Sequence, residues 1–483
     1  MSVAALVAGV DSSTQSTKVE LRRADSGQLV GFGSAPHTAV HPPVAEQDPS
    51  LWLAALQTAL AQALAQAQTR TLDAGHKVEI QAISIAGQQH GLVCLDAQAQ
   101  VIRPAKLWCD TTSAADADWL IEQLPGGAAA FAQACGSVPV AAFTIAKLSW
   151  LHRSEPESWK RLRTVLLPHD WLNFVLTGNT VTDRGDASGT GYWSPITDEY
   201  CWDLLQIVDA HTDWRHMLPR VLGPLEPAGE WQGALVAPGT GDNMAAALGI
   251  GLSASEVAIS LGTSGTVFAV SEHPCSDETG AVAGFADATG KYLPLVCTLN
   301  ATKVTDTLSR LCGLDLAELD AAALASPAGA GGLTLLPYLD GERTPNRPTA
   351  SGQIKGLRTD TTVSQLARAG FEGVICGLLD GLDELSKHAD TSGRVFLVGG
   401  GAHSAAYRQI LADLTGREII TSDLDEAVAT GACLQAAATL LGRDIEQLRG
   451  EWSVGSRHVT APIPAATRQS DEIRSRYQDL RDS

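Results

Sequence analysis

The sequence predicts two α/β lobes closing on one cleft, and three features carry that expectation. Residues 7–19 and 257–268 each read as an apolar strand, a turn packed with Gly, Ser and Thr, and a second apolar strand. Each such hairpin opens one half of a 483-residue chain, which is too long for a single core. Around both, short apolar runs alternate with helical stretches, the α/β pattern.

The elements follow in order. Strands are expected at 6–10, 18–22, 80–86 and 91–95. The helix from 51 to 69 has Asp48 and Pro49 for its cap and first turn and a stripe of Leu53, Leu56, Leu60 and Leu64. Residues 110–220 read as more helical and rich in tryptophan. Pro224, Pro227, Gly229, Gly233, Pro238, Gly239 and Gly241 mark 221–241 as the crossing between lobes, so the expected domains are 1–241 and 242–483. A short helix at 245–251, the second hairpin, a helix at 302–310, a long helix at 362–389, a strand at 395–398 and a helix at 425–441 complete the second lobe. The polar C-terminal stretch is expected to wrap or fray.

Bulk properties bound the function. A net charge of −20 argues against nucleic-acid and membrane partners, while a local nest of N–H groups can still hold an anionic small molecule. Nine cysteines without a Cys-x-x-Cys pair predict reduced thiols and a cytoplasmic protein. No basic stretch precedes the first apolar run, so no signal peptide is expected. Of the two long uncharged stretches, 51–69 is amphipathic and 124–146 is broken by Pro125, Gly126, Gly127, Gly136 and Pro139, so neither predicts a membrane span. A homodimer is the one assembly held open.

Several segments could carry chemistry. Thr14, Ser16, Thr17 and Lys18 in the first turn, and Gly262, Thr263 and Ser264 in the second, offer donors to the phosphates of a nucleotide. Gly400, Gly401 and Ala402 follow a buried-type strand, where the lack of side chains lets a flat base or ribose lie against backbone. Asp11 ends the first strand, and Asp242, followed by Asn243, precedes a helix. One such carboxylate can orient Mg²⁺ and the other can accept a proton from an attacking hydroxyl, although capping alone also places Asp at such positions. Gln89 and His90, in Gly87-Gln88-Gln89-His90-Gly91, are of the kind that read sugar hydroxyls, and Trp108 and Asp110 add a stacking face and an acceptor.

These segments together resemble the FGGY family of carbohydrate kinases over nearly the whole chain. The Gln-Gln-His turn is similar to the sugar turn of members that act on xylulose. Residues 143–151 and 352–372 resemble the two family signatures, with Ala142 and Gly370 as departures. His169-Asp170-Trp171-Leu172, the stretch from Leu176 to Thr190 and Gly341-Glu342-Arg343-Thr344-Pro345 match further blocks. The resemblance implies two actin-like, ribonuclease H-like lobes with an interlobe cleft, and ATP with Mg²⁺ as cofactors. It implies phosphorylation of D-xylulose on its 5-hydroxyl, with Asp242 as base, Asp11 near the metal and Gln89, His90 and Asn243 on the ketose. A kinase for ribulose, glycerol or gluconate, and a non-catalytic ATP or sugar sensor, stay open as alternatives.

Overall fold

The computed structural model describes residues 5–71, 79–452 and 457–483. In the first lobe, β1 (Leu6–Ser12) pairs antiparallel with β2 (Ser16–Arg23), and β2 with β3 (Leu29–Pro36). Helix α1 (Pro49–Thr71) covers β3. It comes close because Gly31 and Gly33 carry no side chain: a Cβ there would lie 2.2 and 2.0 Å from the carbonyl oxygens of Ala63 and Ala59. β4 (Ile80–Gly87) lies parallel to β1 on its other side. Helices α2 (Thr144–Ser154) and α3 (Pro168–Thr177) follow.

The segment 221–241 is not the bare connection expected of it. It adds β5 (Gly229–Trp231), β6 (Ala234–Val236) and β7 (Thr240–Gly241), giving the order β5-β6-β4-β1-β2-β3 with β7 also on β4. Helix α4 (Asp242–Ile250) then begins directly at Asp242.

The second lobe repeats the plan. β8 (Val257–Leu261) pairs antiparallel with β9 (Gly265–Ala269), and β9 with β11 (Tyr292–Thr298), which is edged by β10 (Ala283–Ala286). After α5 (Thr302–Cys312) and α6 (Val363–Leu385), β12 (Val395–Val398) lies parallel to β8, as β4 lies parallel to β1. β13 (Ile419–Ser422) continues the parallel run. Helix α7 (Ala427–Leu441) follows.

The polar tail is also built in. β14 (Arg457–Thr460) pairs antiparallel with β13, and α8 (Ser470–Arg481) buries Ile473, Tyr477 and Leu480. Both sheets therefore share an antiparallel part, of three strands in the first lobe and four in the second, and a parallel part, joined at the first strand of each hairpin.

The lobes meet where α4 crosses α7. A Cβ on Gly249 would fall 1.9 Å from the Ala427 oxygen, and one on Gly431 1.9 Å from the Ala245 oxygen. The two glycines thus let helix backbones touch. Helix α7 also rests on β1, where Gly9 meets Ala429 in the same way.

Candidate active site

The sugar-type turn is held from three sides. His90 sits in the left-handed region at φ 66°, uncommon outside glycine. Its Nδ1 is 2.7 Å from the Gly189 oxygen, its own carbonyl accepts from Thr144 Oγ1 at 3.1 Å, and Phe143 packs edge-on at 5.0 Å. Phe143 and Thr144 are the start of the first family-like signature, so that signature works here as a brace for His90. Burial, with Lys147 nearby, pushes the imidazole down to about 3, so it is neutral. With Nδ1–H donating to Gly189, Nε2 is left as an acceptor.

The base-type loop faces this turn. Asp242 opens α4, and its Oδ1 accepts from the Asn243 N–H at 2.8 Å and from Asn243 Nδ2 at 3.0 Å. Asn243 Nδ2 also donates to Gln89 Oε1 at 3.1 Å, which leaves the buried Gln89 Nε2 as a donor without a protein partner among the described residues. Burial raises Asp242 to about 7, and the negative charges of Asp11 and Asp186 add to the rise. A carboxyl held there is close to balanced between acid and base at neutral pH.

Behind both lies a buried ionic node. His169 Nδ1 is 2.7 Å from Asp186 Oδ2 and 3.3 Å from Asp170 Oδ1, and all three side chains are shut off from solvent. Burial opposes charge on the imidazole, but Asp170, Asp186 and Asp183 outweigh it and hold His169 protonated. Asp183 caps the short helix that follows it and accepts from Thr240 Oγ1 at 2.8 Å. The node therefore ties the Gly189 oxygen under His90 to the strand end that delivers Asp242.

Gln89, His90, Trp108, Asp242 and Asn243 line one cavity of about 260 Å³, together with Thr14, Gly262 and Ser264 of the two hairpin turns. Trp108 Nε1 donates to Thr14 Oγ1 at 2.9 Å, which presents the indole to the cavity. Asp110 does not reach it. Its side chain is fully buried and its oxygens accept from Ala45 N–H, Lys106 and Thr112, a structural clamp in place of the expected sugar acceptor.

A second cavity of about 590 Å³ opens on the far side of Ser260, which lines both. Asp11, Lys18, Gly400 and Ala402 line it. Gly399, at φ 82°, turns the chain after β12, and Gly400 is open where a Cβ would meet nothing, leaving room for a flat group. Gly401 is buried against Leu261 and supports this turn from behind.

Lys18 Nζ pairs at 2.6 Å with Glu426, a residue at the mouth of α7. Burial raises Asp11, opposed by Ser13 and Lys18. Thr17 points away from this cavity because strand side chains alternate, and its hydroxyl is 2.8 Å from His37 Nε2. Ser16 is half-buried at the turn, and Thr263 is exposed at the tip of its hairpin.

Two lobes of one topology, with a hairpin turn from each aimed at a shared cleft and an acid poised at its centre, define an actin-like two-lobed phosphotransferase. The chain belongs to the FGGY family of carbohydrate kinases: the profile of that family's N-terminal domain matches residues 6–249 and that of its C-terminal domain residues 257–440. The chain is 45% identical over 464 residues to a xylulose kinase of Streptomyces coelicolor, covering 94% of this chain and 92% of that one. A crystal structure of xylulose kinase from Bifidobacterium adolescentis superposes with a TM-score of 0.84 at 39% identity, covering 98% of this chain and all of that one. A gluconate kinase from Lactobacillus acidophilus, at TM-score 0.90 and 22% identity over 99% and 98% of the two chains, shares the fold.

Sequence reasoning missed several groups at the site. Arg343, Cys297 and Phe285 line the cavity of Gln89 and His90, and Glu426 the other. Arg343 lay in a family-like block with no assigned role. Glu426 is acidic just before a helix, a pattern that capping explains equally well.

Proposed function

We propose that this enzyme transfers the γ-phosphoryl group of ATP to the 5-hydroxyl of D-xylulose. The observation that carries the proposal is the meeting of Gln89, His90, Asn243 and Asp242 in one cavity that also receives both hairpin turns. The similarity to xylulose kinases at up to 45% identity supports the choice of sugar.

The ketose lies against Trp108, with His90 Nε2 accepting from one hydroxyl and Gln89 Nε2 donating to another. Asp242 accepts the proton of the attacking hydroxyl. Its elevated pKa suits that task, because a base near the working pH both exists ionised and holds the proton it takes. Gly262 and Ser264 on one side and Thr14 on the other are the donors that stabilise charge on the moving phosphoryl group. The nucleotide occupies the second cavity, its adenosine against Gly400 and Ala402 and its phosphates toward Lys18 and Asp11. Asp11 and Asp242 repel each other, and such a pair of buried like charges suits a cation between them. Mg²⁺ arriving with ATP would be held by Asp11 and would neutralise phosphate charge.

The lobes divide near residue 241, and closure of the cleft excludes water from the transfer. Nine unpaired thiols suit the reducing cytoplasm. The test is a coupled ADP-release assay with MgATP and D-xylulose, L-xylulose, D-ribulose, L-ribulose, glycerol and gluconate. A preference for D-xylulose of about tenfold or more in kcat/KM is expected. Preference for another acceptor would overturn the sugar assignment, and binding of nucleotide without turnover on any of them would overturn the kinase.

A further inference from the structure

The sugar-side cavity contains one acid and one permanent cation. The acid is Asp242, and the cation is Arg343, which reaches in from the second lobe. No carboxylate pairs with the Arg343 guanidinium among the described residues. The loop that carries it is held by hydrogen bonds on both sides of Arg343. The buried Glu342 accepts from Leu299 N–H at 2.6 Å, Arg343 N–H at 2.8 Å and Asn300 Nδ2 at 2.8 Å, and Thr344 Oγ1 donates to the Cys297 oxygen at 3.0 Å. A cation left unpaired on a braced loop at the wall of a cavity is placed for a ligand.

Arg343 lines the cavity beside Cys297, whose carbonyl accepts from the neighbouring Thr344, and together with His90 of the sugar-type turn. Lys147 cannot serve in its place, because its ammonium is buried on the Ala141 and Ala142 oxygens. The cavity thus presents a proton acceptor at Asp242 and a pure donor at Arg343. A guanidinium has five N–H donors and no acceptor, so it favours a group that only accepts, such as a carbonyl oxygen.

We propose that Arg343 binds the carbonyl end of the open-chain ketose and distinguishes it from the corresponding polyol. The hydroxyl at the opposite end of the chain then lies at Asp242. The proposal rests on the kinase reading above. A hydroxyl at the carbonyl position accepts less well and brings a hydrogen of its own toward the cation, so a polyol gains less from Arg343.

The test uses the full-length protein and its variants Arg343→Met and Arg343→Lys. Equilibrium binding of D-xylulose and of xylitol is followed by tryptophan fluorescence, with ATP binding measured alongside. Loss of a charged hydrogen bond predicts that Arg343→Met binds D-xylulose about 10- to 100-fold more weakly. Xylitol should change by less than about threefold and ATP should be unaffected, and Arg343→Lys should recover part of the loss. Equal losses for ketose and polyol would overturn the proposal. So would unchanged ketose affinity with a reduced kcat, which would put Arg343 on the transferred phosphoryl group. Failure of the wild-type enzyme to phosphorylate any ketose would refute the parent reading instead, and it is seen without any variant.

Discussion

Gly431→Ala should damage catalysis from a position that touches no substrate. The new methyl would start 1.9 Å from the Ala245 oxygen, and ordinary contact begins at 3.4 Å. Both partners are helix backbone, so neither can swing aside, and α4 and α7 must separate by about 1.5 Å. Overpacking of this kind costs about 1–3 kcal/mol. Because α4 carries Asp242 at its first residue, the proposed base moves with it, and a displacement of about 1 Å typically costs about 10²-fold in rate. The assay pairs a urea midpoint with kcat under saturating substrates. Gly450→Ala is the control: it lies in the helix Ile445–Glu451 with nothing within 4 Å of a Cβ, so it should stabilise by about 0.5–1 kcal/mol and leave kcat alone. If Gly431→Ala kept both its midpoint and its kcat, the helix crossing would not set the lobe spacing.

Asp242→Asn should lower kcat by about 10²–10⁴-fold with the fold intact, and a retained kcat would remove Asp242 as the base. With Asp242 raised to about 7, kcat/KM should fall as pH drops below 7 and level off above about 8. The sign for stability is the reverse: the folded value lies above the ordinary 3.8, so ionising Asp242 weakens the nucleotide-free fold as pH climbs from about 4 to 7. Asp186→Asn removes one of the charges that lift Asp242, so the acid limb of kcat/KM should move to lower pH, and an unmoved limb would detach the buried node from the base. His169→Gln should loosen both the sugar turn and the base loop, seen as a higher sugar KM together with a lower kcat at unchanged ATP KM.

Local signals made much of this legible. The two hairpins could be read because apolar alternation meets a turn of small polar residues within one short window, and the structure has both, with Ser12 opposite Thr17 and Leu261 opposite Gly265. The helices at 49–71, 363–385 and 427–441 showed through their length. The strands at 229–231, 234–236 and 240–241 did not, because strands of two or three residues among Pro and Gly look like loop until β4, far away in sequence, pairs with the latter two and the first pairs with its neighbour. The tail likewise acquires its order from β13 and from burial of Tyr477, both long-range.

At the site, the residues next to recognisable turns came together, as Gln89, His90, Asp242 and Asn243 did. Thr17 and Asp110 were drawn in by adjacency: one residue along a strand reverses a side chain, and Asp110 answers to Lys106 instead of the cavity. Arg343 and Glu426 depend on lobe against lobe, which no local window contains.

With the nucleotide placed as proposed, the Lys18–Glu426 pair gives its binding an unusual character. Lys18 belongs to β2 and Glu426 leads into α7, so the pair spans the two lobes at the edge of the cavity they form. A phosphate that engages Lys18 does not meet an empty cation. It replaces a carboxylate, and binding there is an exchange of one anion for another. Added salt screens the contact that is given up as well as the one that is made, so this lysine should contribute little to the ionic-strength dependence of nucleotide affinity. Removing Glu426 would turn exchange into simple addition, and the affinity would then respond to salt as the affinity of an open cationic site does.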